Sequence, residues 1–510
     1  MDNPKMPQIR RSLDHYLVLE NMTADTHLTV LSPATQQPIL GLPYLSRDEL
    51  EARVQAGVNA FMAWRKVPLA DRVAILNKFC DIFESKASEI AEAISKQMGR
   101  PIKFAKGEVS GTLQRARYMT SVANECLADM EFEDSKNFKR FIRKEPLGLC
   151  YIIAAWNYPF LTMVNTVIPA ILAGNTVILK HSPLTPLCGK IFTDTFSKAG
   201  LPEAVFQDVI IPDMLSSYLT THPLIQFVNF TGSNAVGLAI QKNIAEARKL
   251  IPTNFELGGK DAAYVHSDAE LPYTVSQLVD GSFFNSGQSC CAIERIYVHE
   301  SVYDDFVQRF VDEAKTYTLG NPDDSTAVVG PMASLRFADH VREHISDAGK
   351  FRCFCYRDIE LTQCFALSVS KGAKPLIDTG RDFPADKAGT NFVAPQVFVN
   401  VNHKMKMMTE ETFGPIIGIQ KVSSPQEALT FINDSIYGLT ASVWTQDPDL
   451  ALEMGDAIQT GTVYMNRCDY LDPELCWNGW RGSGRGGSLS KLGYEYVTRP
   501  KSYHLKLATQ

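Results

Sequence analysis

Between residues 149 and 246 short apolar runs alternate with helical patterns: 149-LCYIIAA-155, a helix over 160–172, 176-TVILK-180, a helix over 186–199, 205-VFQDVII-211, 225-IQFVNF-230 and a helix over 234–246. Runs without polar alternation are strands buried on both faces, and strands separated by helices pair in parallel because each connection must cross the sheet. The spacing predicts a doubly wound parallel sheet with right-handed crossovers. A second series starts at 261-DAAYV-265 and continues through 295-RIYVHE-300, a helix over 301–317, 393-VAPQVFVNV-401 and 415-PIIGIQKV-422. Two α/β units in succession suit a chain of 510 residues, which is too long for one core.

Ahead of the first series, 47–67 and 69–99 repeat apolar residues at three- and four-residue spacing and read as helices, the second closed by Gly99. The stretch 130-MEFEDSKNFKRFIRKEPLG-148 alternates charged and aromatic residues, as an exposed arm does, and 462-TVYMNRCDY-470 and 499-RPKSYHLKL-507 are strand-like runs able to pair with it. This sets the domains as 1–129 with 147–256 and 449–461, then 257–448, then an arm of 130–146 with 462–510. The apolar run 147–174 approaches a membrane span in length, but Asn157, Pro159, Asn165 and Pro169 divide it. A buried strand, a turn and a helix starting near Pro159 account for it, and no membrane association is expected.

The net charge of −7 offers no basic stripe, so nucleic acid is excluded as a partner and small molecules are favoured. Eleven cysteines without CxxC spacing read as reduced thiols, neither a disulfide framework nor a metal site. The first twenty residues have an acid at Asp2 and no apolar core, so no secretory leader is expected and the cytoplasm is the expected compartment.

One segment departs from its surroundings. Residues 350–368 hold three of the eleven cysteines, show neither period, and interrupt a helix otherwise expected to run from 339–348 into 369–378. Gly349-Lys350-Phe351 can be encoded by GGT-AAG-TTT, which contains a eukaryotic splice-donor pattern, so a translated retained intron is one reading. A genuine loop insertion is the other, since surface loops tolerate added length. Sequencing cDNA across the junction separates the two.

Two stretches carry chemistry. Glu256 ends a strand and precedes Gly258 and Gly259, which leave room for its carboxylate at the mouth of a cleft; a strand-end salt bridge is the plainer reading. In 284-FNSGQSCCAIER-295, Gly287 permits a tight turn, and a thiol after such a turn at a helix N-terminus has its thiolate favoured. Two buried, unreactive cysteines are the alternative, and the turn alone does not choose between Cys290 and Cys291.

In chain order, 155-AWNYP-159, 230-FTGS-233, 253-TNFELGGKD-261, 284-FNSGQSCCAIER-295 and 410-EETFGP-415 resemble the successive signatures of the aldehyde dehydrogenase superfamily. The likeness extends over residues 28–507 apart from 350–368. It implies an α/β fold of two doubly wound domains, the first binding NAD or NADP and the second (257–448) catalytic, with a small β arm for oligomerisation. It implies Cys290 as nucleophile, Glu256 as the base that activates water, Asn157 with the Cys290 backbone N–H as oxyanion donors, and a packing role for Cys291. On the cofactor side it implies Lys180 at the adenine-side ribose, Gly232, Ser233 and Gly237 at the pyrophosphate, Glu411 at the nicotinamide ribose, and Trp156, Leu257 and Phe413 nearby.

The sequence also departs from the family pattern. NAD-preferring members often carry a glutamate where Pro183 stands, so Lys180, His181 and Ser182 are candidates to meet a 2′-phosphate and NADP is expected to be accepted. Gly486 follows Arg485 where a glutamate is usual, and Trp477-Asn478-Gly479 replaces paired glycines. The resemblance assigns the substrate pocket to Tyr158, Thr162 and Asn165 and to Arg467, Asp469, Tyr470 and Leu471. Arg467 is either a grip for a substrate carboxylate or a partner of Asp469. The 180-KHSP-183 motif is similar to that of some succinate-semialdehyde members, while aromatic and medium-chain aldehydes fit equally. The expected activity is hydrolytic oxidation of a small aldehyde by a homodimer or homotetramer. A CoA-acylating enzyme and a silent structural relative are the alternatives.

Overall fold

The computed structural model describes residues 26–133, 137–349 and 372–507. A six-stranded sheet has the order β17-β9-β8-β5-β6-β7. Its parallel strands are β5 (Leu149–Ile153), β6 (Thr176–Lys180), β7 (Phe206–Asp208), β8 (Ile225–Gly232) and β9 (Thr253–Leu257), and β17 (Gly484–Arg485) adds antiparallel to β9. The chain moves outward from β5 to β7, then returns to the other side of β5 through β8 and β9. The strand order reverses between β5 and β8, and the crevice beyond their carboxyl ends is where such sheets bind ligands. Register brings Ile153 level with Lys180 and Phe230, and Thr231 level with Glu256, so these residues share one edge.

Every residue of β5 and β6 is buried, which explains their unbroken apolar runs. One face packs Phe79, Phe83, Phe160, Phe192 and Phe196 from surrounding helices, and the other packs Leu50, Val54, Ile240 and Ile244. The helix Pro159–Ala173 starts with proline at its first position, runs through Pro169 and is almost wholly buried. No helix among the described residues is long and apolar enough to cross a membrane.

The second sheet has the order β12-β13-β14-β11-β10-β15-β16. Its strands are β10 (Asp261–Val265), β11 (Ile293–His299), β12 (Lys374–Pro375), β13 (Gln396–Val399), β14 (Ile416–Val422), β15 (Thr440–Trp444) and β16 (Thr462–Met465), parallel except for β12. Separate apolar clusters cover its two faces. Only Gly258, Gly259 and Lys260 join β9 to β10, which sets the end of the first sheet against the start of the second.

A third sheet, β18-β4-β3, is antiparallel: β3 (Met130–Glu131), β4 (Phe138–Pro146) and β18 (Thr498–Lys506) pair with Thr498 opposite Pro146 and Lys506 opposite Phe138. Phe141 stacks on Tyr503 at 4.4 Å. A separate hairpin, β1 (His27–Leu31) with β2 (Pro38–Pro43), has no counterpart in the sequence reading.

Several elements differ from expectation. The pattern over 69–99 divides at Lys86 into helices Leu69–Ser85 and Ala87–Met98, and Gly99 closes the latter with φ +90°. A 25-residue helix, Ile102–Cys126, fills the interval that the sequence left unassigned. The run 462–470 supplies β16 to the second sheet rather than a strand to the arm, and only β18 of the C-terminal stretch pairs with β4. The helix Pro448–Ala457 packs on β15 and β16. Residues 372–378 do not continue the helix Leu335–Ala348: the chain turns at Gly372 and enters β12. The proposed retained intron lies outside the described residues. The Ala373 amide donates to the Ala348 carbonyl at 3.2 Å, so the flanking chain ends meet.

Candidate active site

The loops at the junction of the two sheets enclose a cavity of about 810 Å³. Its wall includes Trp156, Asn157, Tyr158, Thr162 and Asn165 after β5, Gly232 and Ser233 after β8, and Glu256 and Leu257 at the end of β9. Cys290, Cys291, Glu411, Phe413, Asp469, Tyr470 and Leu471 complete it from the second domain. Lys180, His181, Ser182, Gly237 and Arg467 do not line it.

The turn before the cysteines is unusual backbone. Asn285, Ser286 and Gly287 have φ of 54°, 61° and 68°, and a Cβ at Gly287 would lie 2.4 Å from the Gly414 carbonyl oxygen. Only glycine fits there without moving the 410–415 loop. Gln288 pins the turn: its Nε2 donates to the Asn285 carbonyl at 3.0 Å, and its Oε1 accepts the Ala333 amide at 2.9 Å. The expected helix N-terminus behind the thiol is absent, because residues 288–292 lead straight into β11. The two cysteines are nevertheless distinct. Cys291 is 2% exposed and its Sγ donates to Asp469 Oδ1 at 3.0 Å; its thiol pKa is raised well above the usual value by its contact with Cys290 and by burial. Cys290 is partly exposed and faces the cavity.

Asn157 is buried, and its Nδ2 donates to the Gln288 carbonyl at 3.2 Å, two residues before Cys290. Its own carbonyl accepts Arg100 Nη2 at 2.7 Å and Asn285 Nδ2 at 3.2 Å. Arg100 also reaches Glu108 at 2.5 Å and lies over the Tyr158 ring at 4.4 Å. Glu108 in turn accepts the Phe160 amide at 2.7 Å, satisfying the first turn of the Pro159–Ala173 helix.

Glu256 is 7% exposed, and burial raises its pKa. Its Oε1 accepts Ser488 Oγ at 2.5 Å and its Oε2 accepts Thr231 Oγ1 at 3.5 Å. The two glycines after it serve close approach: a Cβ at Gly258 would sit 2.1 Å from both Glu411 carboxylate oxygens, and one at Gly259 would sit 2.9 Å from the Cys290 carbonyl. The segment containing Gly486 runs along this strand, with Gly484 opposite Glu256.

On the other side of the cavity, Glu411 accepts the Gly259 amide at 3.2 Å, and its pKa is raised to about 8 by burial and by the charge of Glu294. Trp156 stacks on Phe337 at 4.7 Å and meets Phe413 edge-on at 5.6 Å. Ser233 stands at the N-cap of the helix Asn234–Glu246 without a side-chain capping bond, which leaves first-turn amides free for an anion. Gly237 packs that helix against β9, where a Cβ would meet Leu257 at 2.8 Å. Lys180 ends β6 with its ammonium 3.5 Å from Asp213. His181 points inward: its ring nitrogens bond the Pro159 carbonyl at 3.0 Å and Thr185 Oγ1 at 3.1 Å, and burial lowers its pKa to about 4. It is neutral and committed to the protein interior. Ser182 Oγ accepts the Leu184 amide at 3.3 Å. An uncapped helix start, a lysine at a strand end and a recessed carboxylate form a set of donors and acceptors that fits a dinucleotide.

At the substrate end, Asp469 Oδ1 accepts Ser289 Oγ at 2.7 Å besides Cys291. Thr162 Oγ1 donates to the Ala155 carbonyl at 3.3 Å. Arg467 is exposed, with its guanidinium 3.5 Å from the Tyr470 ring centroid. Asn165 is buried and accepts Arg115 Nη1 at 3.0 Å. Arg100, Glu108, Arg115 and Ser488 are thus parts of the site that the sequence reading did not name. For Arg100, Glu108 and Arg115 the available signal was charged residues within a helix-length stretch directly after Gly99.

The aldehyde dehydrogenase family model matches residues 20–356 and 357–503. An aldehyde dehydrogenase of Davidiella tassiana is 31% identical over 480 residues, 94% of this chain and 92% of the relative. A succinate-semialdehyde dehydrogenase [NADP(+)] of Mycobacterium avium is 29% identical over 482 residues, 93% of this chain and 96% of the relative. The crystal structure of an NADP-dependent glyceraldehyde-3-phosphate dehydrogenase of Bacillus halodurans, complexed with NADP, superposes with a TM-score of 0.85 at 30% identity, covering 94% of this chain and 96% of that one. A cysteine open to a cavity between two doubly wound domains, a buried carboxylate lining the same cavity and matches along nearly the whole length agree: this chain belongs to the aldehyde dehydrogenase family.

Proposed function

We propose that the protein oxidises an aldehyde to its carboxylic acid with NAD or NADP, through a thioester on Cys290 that water then cleaves. One observation carries the reading: of two adjacent thiols, Cys290 is open to the cavity, while Cys291 is buried with its proton engaged by Asp469. The Cys290 thiolate adds to the carbonyl carbon and gives a thiohemiacetal. The Asn157 amide and the Cys290 backbone N–H stabilise the developing oxyanion from fixed positions. Lys180, the Ser233 helix start and Glu411 would hold a nicotinamide dinucleotide, which would accept the hydride lost from the thiohemiacetal carbon as that carbon becomes the thioester. Glu256 then takes a proton from water, the hydroxide adds to the thioester carbon, and the C–S bond breaks to release the acid and the Cys290 thiolate.

Acceptance of NADP is supported by Pro183, which places no carboxylate against a 2′-phosphate, and by Lys180. Names of similar proteins that include NADP agree. With His181 turned inward, the phosphate contacts fall to Lys180 and Ser182. A carboxylate-bearing aldehyde such as succinate semialdehyde heads the set to test, beside aromatic and medium-chain aldehydes. Homodimers or homotetramers would form through β18, an edge strand whose outer backbone groups are free to pair.

An aldehyde panel assayed with each nucleotide, with and without coenzyme A, tests the reading. Acid formed without coenzyme A is the expected product, and acyl-CoA formed only in its presence would overturn it. A kcat/KM preference for NAD over NADP above about a thousandfold, roughly 4 kcal/mol, would overturn the cofactor assignment.

A further inference from the structure

Four elements far apart in sequence bury polar side chains around Glu256. Arg115, on the helix Ile102–Cys126, is 8% exposed, and its Nη1 donates to Asn165 Oδ1 at 3.0 Å and to the Leu161 carbonyl at 3.2 Å. Both acceptors are neutral, and the opposite charge acting most strongly on Arg115 is that of Glu256. Arg115 and Asn165 line the same cavity as Glu256. On the far side, Ser488 Oγ donates to Glu256 Oε1 at 2.5 Å. Ser488 is 2% exposed and locked by two backbone bonds with Trp477, at 2.8 and 2.9 Å. The chain reaches Glu256 there only because residue 486 is glycine: its φ is +84°, and a Cβ would lie 2.4 Å from Asn254 Oδ1.

A buried base meets two opposed demands. Burial disfavours the carboxylate, whereas the base must be ionised to accept a proton from water. Fixed donors and a nearby cation offset burial without admitting solvent. The cavity that holds Glu256 is also lined by Arg100, Arg336 and His340 and by the carboxylates of Glu108, Asp280, Glu411 and Asp469. Arg100 is paired with Glu108 and Arg336 is exposed, whereas Arg115 is buried and its bonds among the described residues go to neutral acceptors, so Arg115 is the counter-charge.

We propose that Ser488 and Arg115 are positioning residues of Glu256: Ser488 fixes the carboxylate by direct hydrogen bond, and Arg115, buried in the wall of the same cavity, supplies the counter-charge. The segment in which the sequence departs from the family pattern thus supplies the partner of the base. The proposal rests on the reading of Glu256 as the base of deacylation.

The test loads Cys290 with an acetyl group from p-nitrophenyl acetate, without nucleotide, and follows its loss by intact-protein mass spectrometry from pH 5 to 9. Ser488→Ala and Arg115→Gln should each move the midpoint of the deacylation profile up by about one pH unit and slow deacylation near neutrality about tenfold, with the extent of acylation unchanged. Ser488→Thr and Arg115→Lys should restore much of the rate. Stoichiometric acylation reports an intact fold in each variant. Profiles that superimpose on the wild type overturn the proposal. So does an Arg115→Gln protein whose profile is unmoved while its KM rises for carboxylate-bearing aldehydes alone, since Arg115 would then serve the substrate. If the wild type acylates but Glu256→Gln deacylates at the wild-type rate, Glu256 is not the base and both readings fall. If the wild type does not acylate, the proposed function itself fails.

Discussion

Glu108 holds Arg100 at 2.5 Å with one oxygen and the Phe160 amide at 2.7 Å with the other, and the same guanidinium holds the Asn157 carbonyl at 2.7 Å. A buried ion pair therefore ties one helix to the start of another and fixes Asn157 between them. Both side chains are at most 2% exposed, so removing one strands the other in the interior. Glu108→Ala should destabilise the protein by about 3–5 kcal/mol, read as a shift of the denaturant midpoint.

In the proposed mechanism Asn157 offers a single donor to the reacting oxygen. Asn157→Ala should lower kcat about 100- to 1,000-fold while KM changes little, as measured by steady-state kinetics. An equal loss in binding, with kcat preserved, would place Asn157 outside the chemistry.

Gly258 is required by its neighbour. An added Cβ would displace the Glu411 carboxylate, now 2.1 Å from that position, and Glu411 is a flexible side chain able to swing away. Gly258→Ala should fold normally and weaken nucleotide binding about 10- to 100-fold, the worth of a charged hydrogen bond, measured by fluorescence titration.

The sheets were legible because 149-LCYIIAA-155 and 176-TVILK-180 are continuous apolar runs, which parallel strands buried on both faces require. Cys290 and Glu256 were legible as motif residues, and Cys290 was distinguishable from Cys291 only by resemblance. The structure separates them by exposure and by the Asp469 contact. The helix Ile102–Cys126 was not read, since its inward face carries Glu108, Thr112, Arg115 and Thr120, and buried polar residues erase the apolar period. The strand β16 was assigned to the arm because it is an edge strand with a half-buried, weakly patterned sequence. Ser488 was beyond reach, as its contact spans 232 residues.

Glu411 gives a pH signature to the nucleotide-free protein. Its pKa of about 8 when folded, against an ordinary 4.5, means that the folded state holds a proton that the unfolded state releases between those values. Its contribution to stability is full below about 4.5 and is lost as pH rises through about 8. The slope is at most about 1.4 kcal/mol per pH unit. Glu411→Gln should lack this decline when Tm is followed from pH 5 to 9.

The central claim is that Cys290, and not Cys291, carries the acyl group. Glu256→Gln protein mixed with aldehyde and nucleotide, then quenched in acid, should accumulate the thioester, and fragmentation mass spectrometry of the 284–295 peptide assigns it to one sulfur. The expected result is one acyl group on Cys290, absent in Cys290→Ala and retained in Cys291→Ala. An acyl group on Cys291, or oxidation that persists in Cys290→Ala, would contradict the account.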